Sequence, residues 1–451
     1  METKPEQMER ETLGKVGRRL LPFLSLLFFV AYLDRVNVGF AAVTMNADVN
    51  ISAAAYGFGA GLFFLGYFLF EVPSNILLAR YGARVWMTRI MLTWGAISAG
   101  MAFVHDEWTF YALRFALGLA EAGFFPGIIY YMTSWFPRSY RGRAVAWFMV
   151  AAPLSSLLGA PVSGWLMTFD GLFGLKGWQL LFVVEGLPAM VLGLACLFFL
   201  TDRPRNARWL EQAEREWLES VIEQEKAEQA RQHGTEVWRA FVDIRLWGLT
   251  LVLFGFIGGM IGFSLWLPQI VKGLGLSVLE TGLVTAIPYV FAAAGMVYWG
   301  RHSDRTGDRA WHTALSGLLA CVGLAAAALT TSAPLTLVML SVAALGLFSG
   351  APPFWSWASS TFSGAAGAVG IALVNSFGNL GGFFGPTIFG WLKSTTGSFT
   401  YSLLALAAFP FAAALIAIAL DFGSRREQSL ALARSAQAKA DKLVQRKGAS
   451  L

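Results

Sequence analysis

Long apolar stretches, separated by short polar breaks, recur from one end of this chain to the other. A run of about 20 apolar residues crosses the hydrocarbon core of a bilayer as one helix. Lipid offers the backbone no hydrogen-bond partners, so such a run must satisfy its own amides within that helix. The pattern predicts an all-α polytopic membrane protein. It overrides the roughly three soluble domains that 451 residues would otherwise suggest. Hydropathy windows predict about twelve spans, centred near Phe28, Leu65, Gly95, Leu119, Ala152, Val191, Phe256, Val290, Leu318, Ala343, Gly378 and Phe411. The first run is too long for a cleaved signal peptide, contains Asp34 and Arg35, and is followed by no small-residue cleavage site.

The bases orient the chain, because cytoplasmic loops retain Lys and Arg. Breaks assigned to the outside hold only Lys176, Lys272 and Lys393. Those assigned to the inside hold Arg80, Arg84 and Arg89, then Arg138, Arg141 and Arg143, then Arg301, Arg305 and Arg309. The hairpin near Ser360 carries no base and rests on alternation alone. The expected organisation is a cytoplasmic N-terminus (1–16), a six-helix bundle (17–201), a cytoplasmic central loop with an amphipathic segment (202–244), a second six-helix bundle (245–421) and a basic cytoplasmic tail (422–451). The net charge of +6 therefore reads as topology, with the lipid bilayer as partner, and not as nucleic-acid binding. Cys196 and Cys321 both fall in predicted spans, which argues against a disulfide framework. His105, His233, His302 and His312 show no metal-ligand spacing. No cofactor is expected.

An internal repeat divides the chain. "LSSLLGAPVSGWL" at 154–166 resembles "LGGFFGPTIFGWL" at 380–392, matching Leu154, Gly159, Gly164, Trp165 and Leu166 with Leu380, Gly385, Gly390, Trp391 and Leu392. The same offset brings Pro126 onto Pro352 and "SWF" at Ser134 onto "STF" at Ser360. Two halves in the same orientation make a transporter whose site lies at their interface near mid-bilayer. Ser155 with Gly159, and Gly381 with Gly385, allow close helix approach, for packing or for gating.

A charge near the centre of a span costs about 2.5–3.5 kcal/mol, so those that occur face a cavity or a partner. Asp34, Arg35, Glu71, Arg114, Glu121 and Glu185 all lie in the first half. At the repeat offset Arg114 meets Leu340 and Glu121 meets Leu347, so a symmetric fold carries an asymmetric charge set. Arg114 and Glu121, seven residues apart, share one helix face two turns apart. Coupled through water or a shifted rotamer, Glu121 would gain and lose a proton as its contact with Arg114 changes. A buried structural pair is the alternative. Asp34 and Arg35, adjacent on a helix, point about 100° apart. Asp34 suits a proton site if burial favours its neutral form, and Arg35 suits a carboxylate, which its planar fork binds bidentately. A mutual or interhelical pair is the alternative. Glu71 and Glu185 have no evident base and read as structural or gating hydrogen bonders, with membership of a proton relay as the alternative. Tyr67, Asn375, Asn379, Trp355 and Trp357 complete the polar and aromatic candidates.

"GRHSDRTGDR" at 300–309 resembles the loop motif of the major facilitator superfamily, in Gly300, Asp304, Arg305, Gly307 and Arg309. The corresponding "NILLARYGAR" keeps Arg80, Gly82 and Arg84 but has Ala79 where the acid is expected. "YLDRVNVGFA", "GYFLFEVPSNILLARYGAR" and "LRFALGLAEAGFFPG" resemble the anion:cation symporter family within that superfamily. Its bacterial members import tartrate, phthalate, sugar acids and related carboxylates; animal relatives include sialin and the vesicular glutamate transporters. The resemblance implies twelve helices in two pseudo-repeats, a multi-pass protein of the bacterial inner membrane, and proton-coupled import of a small organic anion by a monomer. It implies Arg35 as the substrate-carboxylate ligand, with Tyr67, Trp355, Asn375 and Asn379 lining the cavity. Asp34 and Glu121, with Arg114, become the proton-coupling set, and Gly300, Asp304, Arg305, Arg80, Glu71 and Glu185 gating or structural residues. Some sugar-acid importers of the family carry a glutamine in the fifth span; here Ala152 stands near that place. A short hydroxy-dicarboxylate such as tartrate, or an aromatic acid, fits better. The rivals are an efflux antiporter, whose glycine-proline motif in the fifth span is only partial here ("GAPVSG"), and a membrane receptor or intramembrane enzyme. No Gly-x-Ser-x-Gly or His-Glu-x-x-His motif supports the last of these.

Overall fold

The computed structural model describes residues 4–231, 243–361 and 364–448. Part of the central loop, with His233, and Phe362 of the "STF" match lie outside the described residues. Apart from three short 3-10 turns, every described element is an α-helix. The first half contains α1 (Lys4–Asp48), α2 (Ala53–Tyr81), α3 (Ala83–Gly100), α4 (Glu107–Glu121), α5 (Phe124–Thr133), α6 (Arg138–Met149), α7 (Ala151–Leu166) and α8 (Gly177–Phe199). After α9 (Gln212–Arg231), the second half contains α10 (Ile244–Lys272), α11 (Val278–Thr306), α12 (Arg309–Leu329), α13 (Ala333–Ser349), α14 (Ala351–Thr361), α15 (Gly364–Asn379), α16 (Gly381–Thr396) and α17 (Phe399–Gly448).

Four of the twelve spans are broken in two: α4/α5, α6/α7, α13/α14 and α15/α16. By length and apolarity alone ten helices qualify as spans among the described residues. The other two are α3, where Arg84 and Arg89 dilute only 18 residues, and the α15/α16 pair, whose halves are 16 residues each. The α4/α5 break has a local cause. Gly123 adopts φ +83°, a left-handed conformation that side chains disfavour, and Ser74 of α2 occupies the space where a Cβ would go. The break leaves Glu121 as the last residue of α4, in the middle of the membrane.

Six spans pack on either side of a central interface. The start of α1, the "GRHSDRTGDR" loop and the stretch of α17 at Phe422, whose ring meets Trp311, lie on one face, the terminal face. At the opposite face the halves meet closely: α16 packs on α2, α11 on α7 and α10 on α1. Gly57 of α2 is needed there, since a Cβ would fall 2.4 Å from the Pro386 carbonyl oxygen. Tyr56 Oη donates to the Leu265 carbonyl (3.0 Å), and Trp266 Nε1 to the Pro386 carbonyl (3.3 Å). Ser155 and Gly159 instead pack against α1, and Gly381 and Gly385 against α10, inside their own halves.

The amphipathic segment of the central loop is α9, strapped across the terminal face of the first half. Leu218 and Ile222 are buried. Lys15 of α1 donates to Glu214 (2.7 Å), and the Arg138 amide and Arg141 both donate to Glu225. The two short loops of the repeat both place a positive-φ glycine at the helix end, Gly82 (φ +85°) and Gly307 (φ +72°), although only Gly307 is left-handed helical. Where the first of them lacks an acid, Asp202 from beyond α8 accepts from the Arg84 amide at 2.9 Å.

Candidate functional site

A cavity of about 150 Å³ lies between the halves at mid-membrane. Arg35 on α1, Tyr67 on α2, Trp355 on α14, and Asn375 and Asn379 on α15 all line it, together with Ala152 of α7. Apart from these groups and Tyr32 its walls are mostly phenylalanine and methionine, with Phe63, Phe64, Phe256, Met260 and Phe354 prominent. Arg35 is the charged side chain among the lining residues. In so apolar a setting, an anion entering the cavity meets its one full positive charge there.

Arg35 forms an ion pair and hydrogen bond with Glu121. Arg35 keeps 17% of its side chain exposed, towards the cavity, and Glu121 only 1%. The second carboxylate oxygen of Glu121 is buried and has no hydrogen-bond partner. The Arg35 guanidinium also lies over Phe63 (5.4 Å) and Tyr67 (5.7 Å), so the ring faces that shape the cavity hold the base by cation–π attraction. The same Phe63 carries a second guanidinium, Arg114, at 5.1 Å.

Arg114, the base that helix spacing places on one face with Glu121, has its direct hydrogen-bond partner elsewhere. Arg114 is 1% exposed and its Nη2 donates to the Ala60 carbonyl of α2 at 3.1 Å. Two turns of helix separate the pair by roughly 10 Å, whereas Arg35 approaches Glu121 directly from a neighbouring helix. Arg89 of α3 does reach the end of α4, donating to the Ala120 carbonyl at 3.4 Å. There it meets the negative end of the helix dipole.

Asp34 turns away from the cavity. Its Oδ2 accepts from Trp94 Nε1 (2.8 Å), and its Oδ1 from Ser98 Oγ (2.9 Å) and Asn37 Nδ2 (3.1 Å). The donors follow helix spacing: Trp94 and Ser98 are one turn apart on α3, and Asn37 is one turn from Asp34 on α1. This nest inside the first half is the set that reading the charges alone overlooked. The i,i+4 Trp–Ser pair was its available signal.

Glu71 and Glu185 occupy separate places. Glu71 bridges the halves on the terminal side of the cavity, accepting from Asn375 Nδ2 (2.8 Å) and Ser376 Oγ (2.6 Å). Asn375 thus serves cavity and strut together, and Ser376 joins it. Glu185 lies inside the first half, bonded to Ser163 Oγ at 2.7 Å. The loop residues do not line the cavity. Arg80, Asp304 and Arg305 are exposed, Gly300 packs against Pro352, and Arg309 donates to the Ser356 carbonyl of α14 at 2.8 Å. Among the described residues no cluster of His, Cys, Asp and Glu is arranged to hold a metal ion.

The family model described as "Major Facilitator Superfamily" matches residues 24–386. The chain belongs to the major facilitator superfamily. It is 50% identical over 413 residues to a protein of Agrobacterium vitis named "Putative tartrate transporter", covering 92% of each chain. It is 41% identical to the "Quinolone resistance transporter" of Acinetobacter baumannii, covering 88% of this chain and 91% of that one. Among solved structures it resembles a bacterial homolog of the human lysosomal transporter Spinster (TM-score 0.74, 17% identity, 88% of this chain and 95% of that one). That likeness carries the fold of twelve helices in two six-helix halves. The chain is therefore a multi-pass membrane transporter and not an enzyme.

Proposed function

We propose that this transporter imports a small organic anion, a hydroxy-carboxylate such as tartrate, together with protons. The observation that carries the reading is the Arg35–Glu121 pair at the wall of the cavity. One guanidinium there has two claimants, the carboxylate of the protein and that of the substrate. Protonation of Glu121 removes the first claimant and frees Arg35 for the second, so proton and anion enter as a unit. The names of the relatives from Agrobacterium vitis supply the substrate class. Tyr67, Asn375, Asn379 and Trp355 supply donors for its second carboxylate and hydroxyls. Ala152 leaves an unreactive patch where a longer polyol would need a partner.

In this reading Asp34 is a second proton site, insulated from the substrate by its own donors. Arg114 fixes α4 to α2 and stiffens Phe63, the ring it shares with Arg35. The halves, 17–201 and 245–421, rock about the cavity while the Glu71 strut opens and closes on the terminal side. Gly300, Asp304, Arg305 and Arg80 belong to the loops that accompany this motion, and Glu185 to the rigid interior of the first half. The terminal face is cytoplasmic and the membrane is the bacterial inner membrane, as the arginine-rich loops favour. A monomer suffices, since one chain supplies both walls of the cavity.

The test is uptake of labelled tartrate into proteoliposomes with an imposed pH gradient. Accumulation driven by an acidic exterior is expected, and uptake indifferent to the gradient contradicts the proposal. Similarity to the quinolone resistance transporter favours a second reading, proton-driven export. Expulsion of a cationic or aromatic drug under the same gradient, without tartrate uptake, is its signature.

A further inference from the structure

Besides the central cavity, a second recess lies where α1 leaves the terminal face. Arg18, Arg19, Pro22, Phe23 and Leu26 recur at helical intervals along one face of α1 and, with Phe199 at the end of α8, border a groove of about 630 Å³. The groove has a head and a tail. At its head are two guanidiniums. Arg18 is exposed, with only its Nε tied, to the Gly14 carbonyl at 3.2 Å. Arg19 is held over Phe199 (4.7 Å) and Trp209 (5.0 Å), and its Nε is buried without a hydrogen-bond partner. Towards mid-membrane the groove becomes apolar, and Leu26 is 45% exposed. The nearby carboxylates of Glu211 and Glu214 are both turned to Lys15, and among the described residues neither forms an ion pair with Arg18 or Arg19.

A soluble anion would use the head of this groove and make no use of its apolar tail. A peptide would need backbone partners that the apolar wall does not offer. A phospholipid matches both ends, and two guanidiniums without an ion-pair partner among the described residues select an anionic one, as basic pockets at the cytoplasmic interface do. We propose that the groove binds an anionic phospholipid, its phosphate on Arg18 and Arg19 and an acyl chain along Phe23 and Leu26. The bound lipid would sit against the junction of α1 with the segment leading into α9, the strap that Lys15 and Glu214 close.

The full-length protein in mild detergent can be titrated with phosphatidylglycerol, with phosphatidylcholine of the same acyl chains, and with inorganic phosphate, and read by native mass spectrometry. Wild type is expected to retain phosphatidylglycerol in preference to phosphatidylcholine. The Arg18→Gln/Arg19→Gln variant should lose about thirtyfold in affinity, the effect of two interfacial bases. Its unfolding temperature in phosphatidylcholine micelles should stay that of wild type, which separates lost binding from lost fold. Leu26→Ser should weaken phosphatidylglycerol retention without restoring phosphatidylcholine binding. Equal retention of the two lipids, undiminished retention by the double variant, or displacement of the lipid by inorganic phosphate would each overturn the proposal.

Discussion

Arg35 on α1 pairs with Glu121 at the end of α4, while the residue beside it, Asp34, points into a separate nest of three donors. Two neighbouring charges thus serve two compartments, one open to the cavity and one sealed in the first half. The α4/α5 break at Gly123 is what brings a helix-end carboxylate to that depth. Arg89 at the Ala120 carbonyl and Arg35 at Glu121 together offset the negative helix end.

Arg35→Lys keeps the charge but removes the planar fork, so a carboxylate loses one of two parallel hydrogen bonds. A charge-assisted hydrogen bond is worth about 1.5–3 kcal/mol. Tartrate affinity, measured by isothermal titration on the purified protein, is expected to fall by about tenfold to a hundredfold. Unchanged affinity would remove Arg35 from the binding site.

The Glu71 strut to Asn375 and Ser376 joins the two halves on the terminal side of the cavity. Glu71→Ala leaves both donors unpaired, at a cost of about 1–3 kcal/mol for each one buried. Spin labels placed towards the terminal ends of α2 and α15 should report a wider distance distribution in the variant. An identical distribution would mean that the strut holds nothing closed.

The α9 strap carries a pH dependence of known sign. Burial pushes the Glu214 carboxyl up, but Lys15 and the Glu211 amide more than offset this, and its pKa lies below the ordinary 4.5. A folded-state pKa below the unfolded one stabilises the fold above about pH 4.5, and that stability is lost as pH falls through the folded value. The difference in melting temperature between wild type and Glu214→Gln should therefore be present at pH 7 and shrink in acid. A gap that stays constant or widens in acid would contradict the pairing.

Hydropathy and the repeat made the architecture legible, because lipid allows so few solutions. α3 is the faintest span in composition, since Arg84 and Arg89 sit in it, and α15/α16 is interrupted at Leu380. Both are held as spans by their place in the bundle. The cavity lining was legible residue by residue at Arg35, Tyr67, Trp355, Asn375 and Asn379. The pairing of charges was not. Periodicity reports which residues share a face of one helix, as for Arg114 and Glu121. It says nothing of what a neighbouring helix presents, which is how Arg35 and Ser376 escaped assignment as partners of Glu121 and Glu71. Asp202, the acid at the first loop, was hidden for the same reason, lying more than a hundred residues along the chain from Arg84.

The central claim is that a proton on Glu121 frees Arg35 for the anion, and Glu121→Gln tests it most directly. Uptake of labelled tartrate into proteoliposomes can be followed in two modes, driven by an imposed pH gradient and by exchange against internal tartrate. With glutamine fixing the neutral form, exchange should persist and gradient-driven accumulation should vanish. Accumulation at the wild-type level in Glu121→Gln would contradict the account.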